Sequence, residues 1–471
     1  MGDFEKKDLN PFFEPGSIAI IGSFGTAWFG GKAVIRNLRT FGFSGEIYPV
    51  NPSYKKVSGM KVYPTVVDVP GDVDLAIVMT SSSVAPKIIK ECTEKDIRAA
   101  VVVADGFGER GDKGSKLQNE MLKVAKPNGL RIIGPNTIGT VNTEAGLVTN
   151  PYDVGYKTIR QGSVAISGQT GLVGPQALPL EDLAFGISKI CDFGNKCDVD
   201  EADLLMYLSD DPKTKVIAMH TEIIRDGSRF LDVAKEVTKR KPVLVFKPGR
   251  SEESAKALAS HTGSLAGSDK VYDGAFKQAR IIRTGSLTEL LDFAKTFSQQ
   301  PPLKGNRIAI VTMTGGAGIM AIDVASECGI IPAELSEKTI EKLNEVYPTL
   351  GKNPVDLGPA VPVAPNLMML YRDIVEAVLD DQNVDCIVIV LYASAMMPPK
   401  IYASLFSKLN FTKPTVIWIY GTNTSSIAET SYHLENANLP VFLDLETAIR
   451  ALGSMFRYYG YQNTQHQLSD I

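Results

Sequence analysis

The stretch Val164-Ala-Ile-Ser-Gly-Gln-Thr-Gly-Leu-Val-Gly174 decides the fold, because the chain contains its pattern twice. A short apolar run gives way to a glycine-rich turn and then to a second apolar segment, the signature of strand, tight turn and helix. Ile308-Ala-Ile-Val-Thr-Met-Thr-Gly-Gly-Ala-Gly318 has the same form. The correspondence continues downstream. Residues 215–222 parallel 384–392, Lys241-Pro-Val-Leu-Val-Phe246 parallels Lys413-Pro-Thr-Val-Ile-Trp418, and 281–291 parallel 441–451. Two tandem doubly wound α/β domains of one ancestry follow, with Gln299-Gln-Pro-Pro-Leu-Lys-Gly305 as the linker.

The two copies differ at one place. The stretch 258–282 holds roughly twice as much chain as its parallel 430–442, and the surplus is Ser260-His-Thr-Gly-Ser-Leu-Ala-Gly267. An insertion that the other copy lacks is not needed to build the fold, which favours a functional reading of His261 over a capping one. Small residues cannot bury an imidazole, so His261 is predicted to project from a loop. A neutral imidazole is a nucleophile that takes a phosphoryl group. Glu222 closes a strand at the same edge, where a carboxylate orients and stabilises a phosphorylated or protonated ring. The turn Gly168-Gln169-Thr170-Gly171 is predicted to open a helix whose N–H groups and dipole hold phosphate. Cys197 lies beside Asp198 and Asp200, which disfavour a thiolate, and is a poor nucleophile.

Upstream, strand-like runs end one after another in small or polar residues: Gly22-Ser23-Phe-Gly25, Asn51-Pro52, Thr80-Ser81, Asp105-Gly106 and Pro135-Asn136. Strands alternating with helices imply a parallel sheet whose ligand binds at the C-terminal strand ends. Gly22, Ser23, Gly25, Asn51, Pro52, Lys55, Thr80, Ser81 and Asn136 are therefore the predicted cofactor-binding residues. The turn lacks a full GxGxxG, and Asn51-Pro52 stands where an NAD enzyme places its ribose-binding acid. NAD is disfavoured; a phosphorylated adenosine ligand such as coenzyme A suits Lys55 and Lys56. The Trp28–Phe29 pair is assigned to core packing rather than to a site.

At 471 residues the chain suits about three domains. A formal net charge of -4 argues against nucleic acid and anionic membrane as partners. Five scattered cysteines without a CxxC pair suit a reducing cytosol and argue against a structural metal. The charged N-terminus is no signal peptide, and no apolar run is long enough to span a bilayer.

The histidine stretch Ser260–Gly267, together with Ile133-Gly-Pro-Asn136, the loop 194–200, Arg225-Asp-Gly227, Lys241-Pro242 and Asn353-Pro-Val-Asp356, resembles the α subunit or α half of ADP-forming acyl-CoA synthetases, relatives of succinyl-CoA synthetase. The resemblance covers residues 11–460. It implies a coenzyme A-binding Rossmann domain (10–148), a flavodoxin-like domain with the phosphohistidine loop (160–298), a second flavodoxin-like domain (305–458) and a polar tail or linker (459–471). In that family phosphate converts an acyl-CoA to an acyl phosphate, and the histidine then carries the phosphoryl group to ADP. By resemblance His261 is the phosphorylated residue, Glu222 its stabilising carboxylate and Gly168–Gly171 a phosphate-holding turn. Gly168 departs from the family's more usual serine. No ATP-grasp domain and no GxxxxGK[ST] loop is present, so ADP/ATP and Mg²⁺ are expected on a β subunit or fused β half. The other expected partners are a small carboxylic acid and a second copy of this chain. A non-catalytic coenzyme A-binding regulatory module is the rival reading, and retention of both His261 and Glu222 argues against it.

Overall fold

Runs of Val, Ile and Ala without polar alternation belong in strands covered on both faces, and the chain builds three main sheets from them. The computed structural model describes residues 8–262, 268–364 and 366–469, with 259–262 and 462–469 in backbone alone. Residues Met1–Leu287 form one compact unit and Thr288–Ile471 a second. No described helix is long and apolar enough to cross a membrane.

The first unit opens with Ser17–Gly22 (β1) and Glu46–Val50 (β2), followed by a small ribbon, Lys56–Val57 (β3) with Met60–Lys61 (β4). Leu75–Met79 (β5), Ala99–Val102 (β6) and Arg131–Ile133 (β7) complete a parallel sheet in the order β2-β1-β5-β6-β7. Its second sheet comprises Thr140–Asn142 (β8), Leu147–Val148 (β9), Gln161–Gly168 (β10), Ile187–Asp192 (β11), Val216–His220 (β12), Val243–Phe246 (β13) and Ile282–Thr284 (β14). The order is β14-β13-β12-β10-β11-β8-β9. The hairpin β8–β9, expected in the first domain (10–148), thus extends the second sheet, antiparallel to β11. The N-terminal helix Asn10–Phe13 holds it there. Thr140 Oγ1 donates to Phe12 O at 2.9 Å and Asn142 Nδ2 donates to Phe13 O at 3.0 Å. Phe12 and Phe13 are fully buried, a gain of roughly 2–3 kcal/mol each. One apolar core runs from Leu9 to Ile281 through both sheets.

The second unit contains Arg307–Thr312 (β15), Ile331–Pro332 (β16), Val355–Asp356 (β17), Cys386–Ala393 (β18), Thr415–Gly421 (β19) and Val441–Phe442 (β20). Its order β16-β15-β18-β19-β20 reproduces β11-β10-β12-β13-β14 strand for strand, and β17 pairs with β15. The internal repeat is therefore real at the level of topology.

Three expectations are corrected. The turn after β10 opens no α-helix: Gly171–Val173 is a single 3-10 turn, because Pro175 and Pro179 interrupt the segment that follows. The matching turn after β15 does open a helix, Gly315–Glu327. His261 lies in the last turn of the helix Glu252–Thr262, not on an open loop. The run Glu-Glu-Ser-Ala-Lys-Ala-Leu-Ala supplies good helix formers, with both acids in the first turn. The surplus chain is consequently a whole extra helix, since Asp269–Gln278 also lies between β13 and β14 while Thr424–Asn436 alone joins β19 to β20. The segment 459–471, expected as a polar tail or linker, begins within the helix Leu445–Ser469.

Candidate active site

A cavity of about 920 Å³ opens at the C-terminal ends of β1, β5, β6 and β7. Parallel strands place their following turns at one edge, and that edge is where ligands enter such sheets. Ser23, Thr80, Ser81 and Asn136 line it from the first sheet, and Gln169, Thr170 and Gly171 from the end of β10. Seven residues predicted from four separate stretches thus meet in one space. Arg110, Asp192, Phe29 and Tyr152 also line it and were not predicted.

The remaining candidates are placed otherwise. Gly22 has φ +145 and a β-carbon there would run into Met79 O, so this glycine lets β1 pass close to β5. Asn51 braces the strands: Nδ2 donates to Gly22 O at 2.8 Å and Oδ1 accepts from Ser53 N at 2.8 Å. Gly25, Pro52 and Lys55 are exposed and do not border the cavity; the cation that does is Arg110. Gly168 ends β10 beneath the turn. Phe29 and Tyr152 stand with ring centroids 4.9 Å apart, and Trp28 beside them is 64% exposed, so this group is not the core packing expected of it.

Gln169 organises the floor. Its Oε1 accepts from the Glu222 backbone N at 2.9 Å, from Ile223 N at 3.1 Å and from Lys196 Nζ at 2.7 Å. A carbonyl engaged this way is not available to a ligand, which leaves the Nε2 donors. Lys196 also donates to Glu201 Oε1 at 2.5 Å and to Ile223 O. Burial holds its ammonium below the ordinary value. Sequence reasoning noticed the loop 194–200 but not this lysine, since nothing local distinguishes a buried lysine from a solvated one. Glu222 is 9% exposed, lies two residues beyond β12 and is not among the residues that line the cavity.

Asp192, at the end of β11, is 3% exposed. Its Oδ2 accepts from Ile138 N at 2.8 Å, while Oδ1 has no hydrogen-bond partner among the described residues. Burial, with Glu222 nearby, pushes the carboxyl up to about 6. His220, in β12, is also buried; burial, then Lys196 and Lys247, holds its imidazole down to about 4. The Cys197 thiol is pushed up to about 12 by burial and Asp198, which agrees with its rejection as a nucleophile. The helix Glu252–Thr262 packs against the turn Gly108–Arg110. The His261 side chain and residues 263–267 lie outside the described residues.

The lining suits coenzyme A. Hydroxyls at Ser23, Thr80 and Ser81 and the Arg110 guanidinium offer donors for phosphates and amide carbonyls. Gly106 (φ +97) lies where a β-carbon would come within 2.5 Å of Ser82 Oγ, so the cradle there depends on glycine.

Comparison with known proteins gives the same picture. A coenzyme A-binding domain family matches residues 16–143, and a succinyl-CoA ligase-like flavodoxin domain family matches 161–297. An ADP-forming acetate–CoA ligase II of Archaeoglobus fulgidus is 36% identical over 461 residues, covering 97% of this chain and 68% of that protein. An ADP-forming acetate–CoA ligase I α subunit of Pyrococcus furiosus is 35% identical, covering 96% of this chain and 97% of that one. The chain belongs to the ADP-forming acetate–CoA ligase family. A solved acetyl-coenzyme A synthetase of Ca. Korarchaeum cryptofilum, in complex with phosphate and ADP, superposes with a TM-score of 0.89 at 32% identity, covering 97% of this chain and 98% of that chain. Membership of this ligase family favours an enzyme over a regulatory module. Its coenzyme A-binding and flavodoxin-like domains share the core that runs through the first unit.

Proposed function

We propose that the chain performs the acyl-transfer half of ADP-forming acid–CoA ligation, with His261 carrying the phosphoryl group. Acyl-CoA, phosphate and ADP are exchanged reversibly for carboxylic acid, CoA and ATP. The observation that carries this reading is one cavity joining the strand ends of the first sheet to the Gln169–Gly171 turn. Ser23, Thr80, Ser81 and Asn136 take the coenzyme A end, and coenzyme A supplies the thioester to be cleaved. Thr170, Gly171 and the Gln169 amide donors position phosphate; positioning and electrostatics are most of what phosphoryl transfer requires. Glu222, fixed through its backbone by Gln169, is assigned to the imidazole of His261.

The nucleotide step is assigned to an ATP-grasp β subunit or fused β half, which brings ADP/ATP and Mg²⁺. Curated relatives from Pyrococcus furiosus carry the name α subunit, which supports a separate β chain. A small carboxylic acid is the substrate, a homodimer of this chain the core of the assembly, and the cytosol its compartment, in keeping with five unbridged, buried cysteines.

The test is mass spectrometry under alkaline conditions after incubating the chain with phosphate and a panel of acyl-CoAs. Phosphate on His261 with at least one acyl-CoA, and none on His261→Asn, is the expected result. No phosphate with any acyl-CoA, with the β partner present, would remove the proposal.

A further inference from the structure

Asp192 is a buried carboxyl for which the reaction outlined above has no role. It stands in register beside Gly168, and Phe193 N donates to Gly168 O at 2.8 Å, so the carboxyl adjoins the start of the phosphate turn. It lines the cavity together with Gln169, Thr170 and Gly171. Ile138 N holds Oδ2, and Thr137 and the Gly194 backbone N also stand close to the carboxyl, yet among the described residues Oδ1 has no partner at hydrogen-bonding geometry. A buried acceptor without a donor is costly, and a ligand that brings the donor recovers that cost. The groups facing it are Glu222, a second negative charge, the neutral donors Thr137, Ile138 N and Gly194 N, and, on the same cavity lining, Gln169 and the Arg110 guanidinium. A fully deprotonated anion set against Oδ1 meets a carboxylate there, whatever Arg110 offers it on the rest of the lining.

We propose that Asp192 Oδ1 accepts the P–OH hydrogen bond of inorganic phosphate and takes that proton when phosphate attacks the acyl thioester. This rests on the reading that phosphate binds at the Gln169–Gly171 turn. Among substrates of the reaction, hydrogen phosphate carries both a donor suited to this oxygen and a proton that must move. A phosphate oxygen forms a bond to the acyl carbon and the carbon–sulfur bond breaks. The P–OH proton passes to Asp192 and then to the departing thiolate, giving acyl phosphate and CoA–SH. Charge and atoms balance with no further reactant. A carboxyl held near 6 is charged at neutral pH yet close enough in affinity to hold a proton in passing.

The same geometry makes Asp192 a filter. Phosphate and arsenate keep a proton at neutral pH and satisfy the carboxylate, whereas sulfate has none and leaves two negative groups facing each other. Titration calorimetry of the full chain with phosphate, arsenate and sulfate at pH 7.5 tests this. Phosphate and arsenate are expected to bind about 100-fold more tightly than sulfate. Asp192→Asn is expected to bring sulfate to within a few-fold of phosphate and to slow acyl phosphate formation by about 100-fold, with coenzyme A affinity unchanged. Sulfate binding as tightly as phosphate to the unaltered chain, no phosphate binding at all, or discrimination that survives Asp192→Asn would each overturn the proposal. The unaltered chain decides the matter even if the variant does not fold. Phosphate on His261 that persists while sulfate competes for the site defeats this inference alone; no phosphate on His261 defeats the underlying reading.

Discussion

Asp192 and His220 are shifted in opposite senses, and the linkage can be worked through for each. His220 falls from an ordinary 6.5 to about 4 through burial. Between those values the unfolded chain binds a proton that the folded chain does not, so this group makes stability rise with pH. Asp192 rises from 3.8 to about 6, also through burial. From 3.8 to about 6 the folded chain keeps a proton that the unfolded chain has lost, so this group makes stability fall with pH. The two slopes, each about 1.4 kcal/mol per pH unit, oppose one another between pH 4 and 6. Relative to the unaltered chain, His220→Phe is therefore expected to lose roughly 2–3 kcal/mol from pH 4 to 6 and Asp192→Asn to gain as much. Urea unfolding of the three proteins at pH 4, 5 and 6 checks it. Parallel curves for all three would contradict both shifts. His220 was visible in the sequence only as a histidine near a strand, and Asp192 as an ordinary acid.

At the scale of elements, the loop after β11 fastens the two sheets of the first unit. Asn195 N donates to Pro135 O at 2.8 Å, Cys197 N to Gly134 O at 3.0 Å and Val199 N to Ile132 O at 3.1 Å. Arg131 then bridges to Asp198 and Asp203, both at 2.7 Å. Gly194 makes this approach possible: its φ is +51, and a β-carbon would collide with Pro135 O and Asn136 O. Gly194→Ala combines a strained backbone with backbone overlap. A loss of about 3 kcal/mol or more is expected, together with weakened coenzyme A binding because Asn136 borders the cavity. Thermal melts and a coenzyme A titration read the two effects, and an unchanged melt would show that the loop yields at little cost. The sequence displayed this loop as a family motif but not its role as a clasp.

For the whole molecule, the helix Leu287–Gln299 and the residue after it decide where the second unit begins. The flavodoxin-like family match ends at 297, and the linker was expected at 299–305. Yet Lys295 Nζ donates to Glu435 Oε1 at 2.7 Å and to Val441 O at 2.6 Å. Gln300 Nε2 donates to Asn438 O at 2.7 Å, and Gln300 Oε1 accepts from Thr415 N at 2.8 Å. Phe297 meets Tyr458 edge to face at 5.8 Å. A fragment spanning 288–471 is expected to unfold cooperatively, and one beginning at 305 to be at least about 3 kcal/mol less stable, because Glu435 and the edge of β19 lose their partners. Equal urea midpoints for the two fragments would return this helix to the preceding domain.

The sequence alone determined what repeats and what is short-range. Apolar period, turn glycines and the doubled strand–turn pattern specify three α/β sheets and their order, because each strand's burial on two faces is written in its own residues. It also singled out His261, through a length difference between copies. Tertiary structure alone decided where β8 and β9 pair, that the Gly168–Gly171 turn opens no helix, and that Asn51 braces strands while Arg110 and Asp192 border the cavity. These depend on which backbone groups and charges meet across long separations in the chain, and no local pattern carries the dielectric or the partner that a side chain finds when folded.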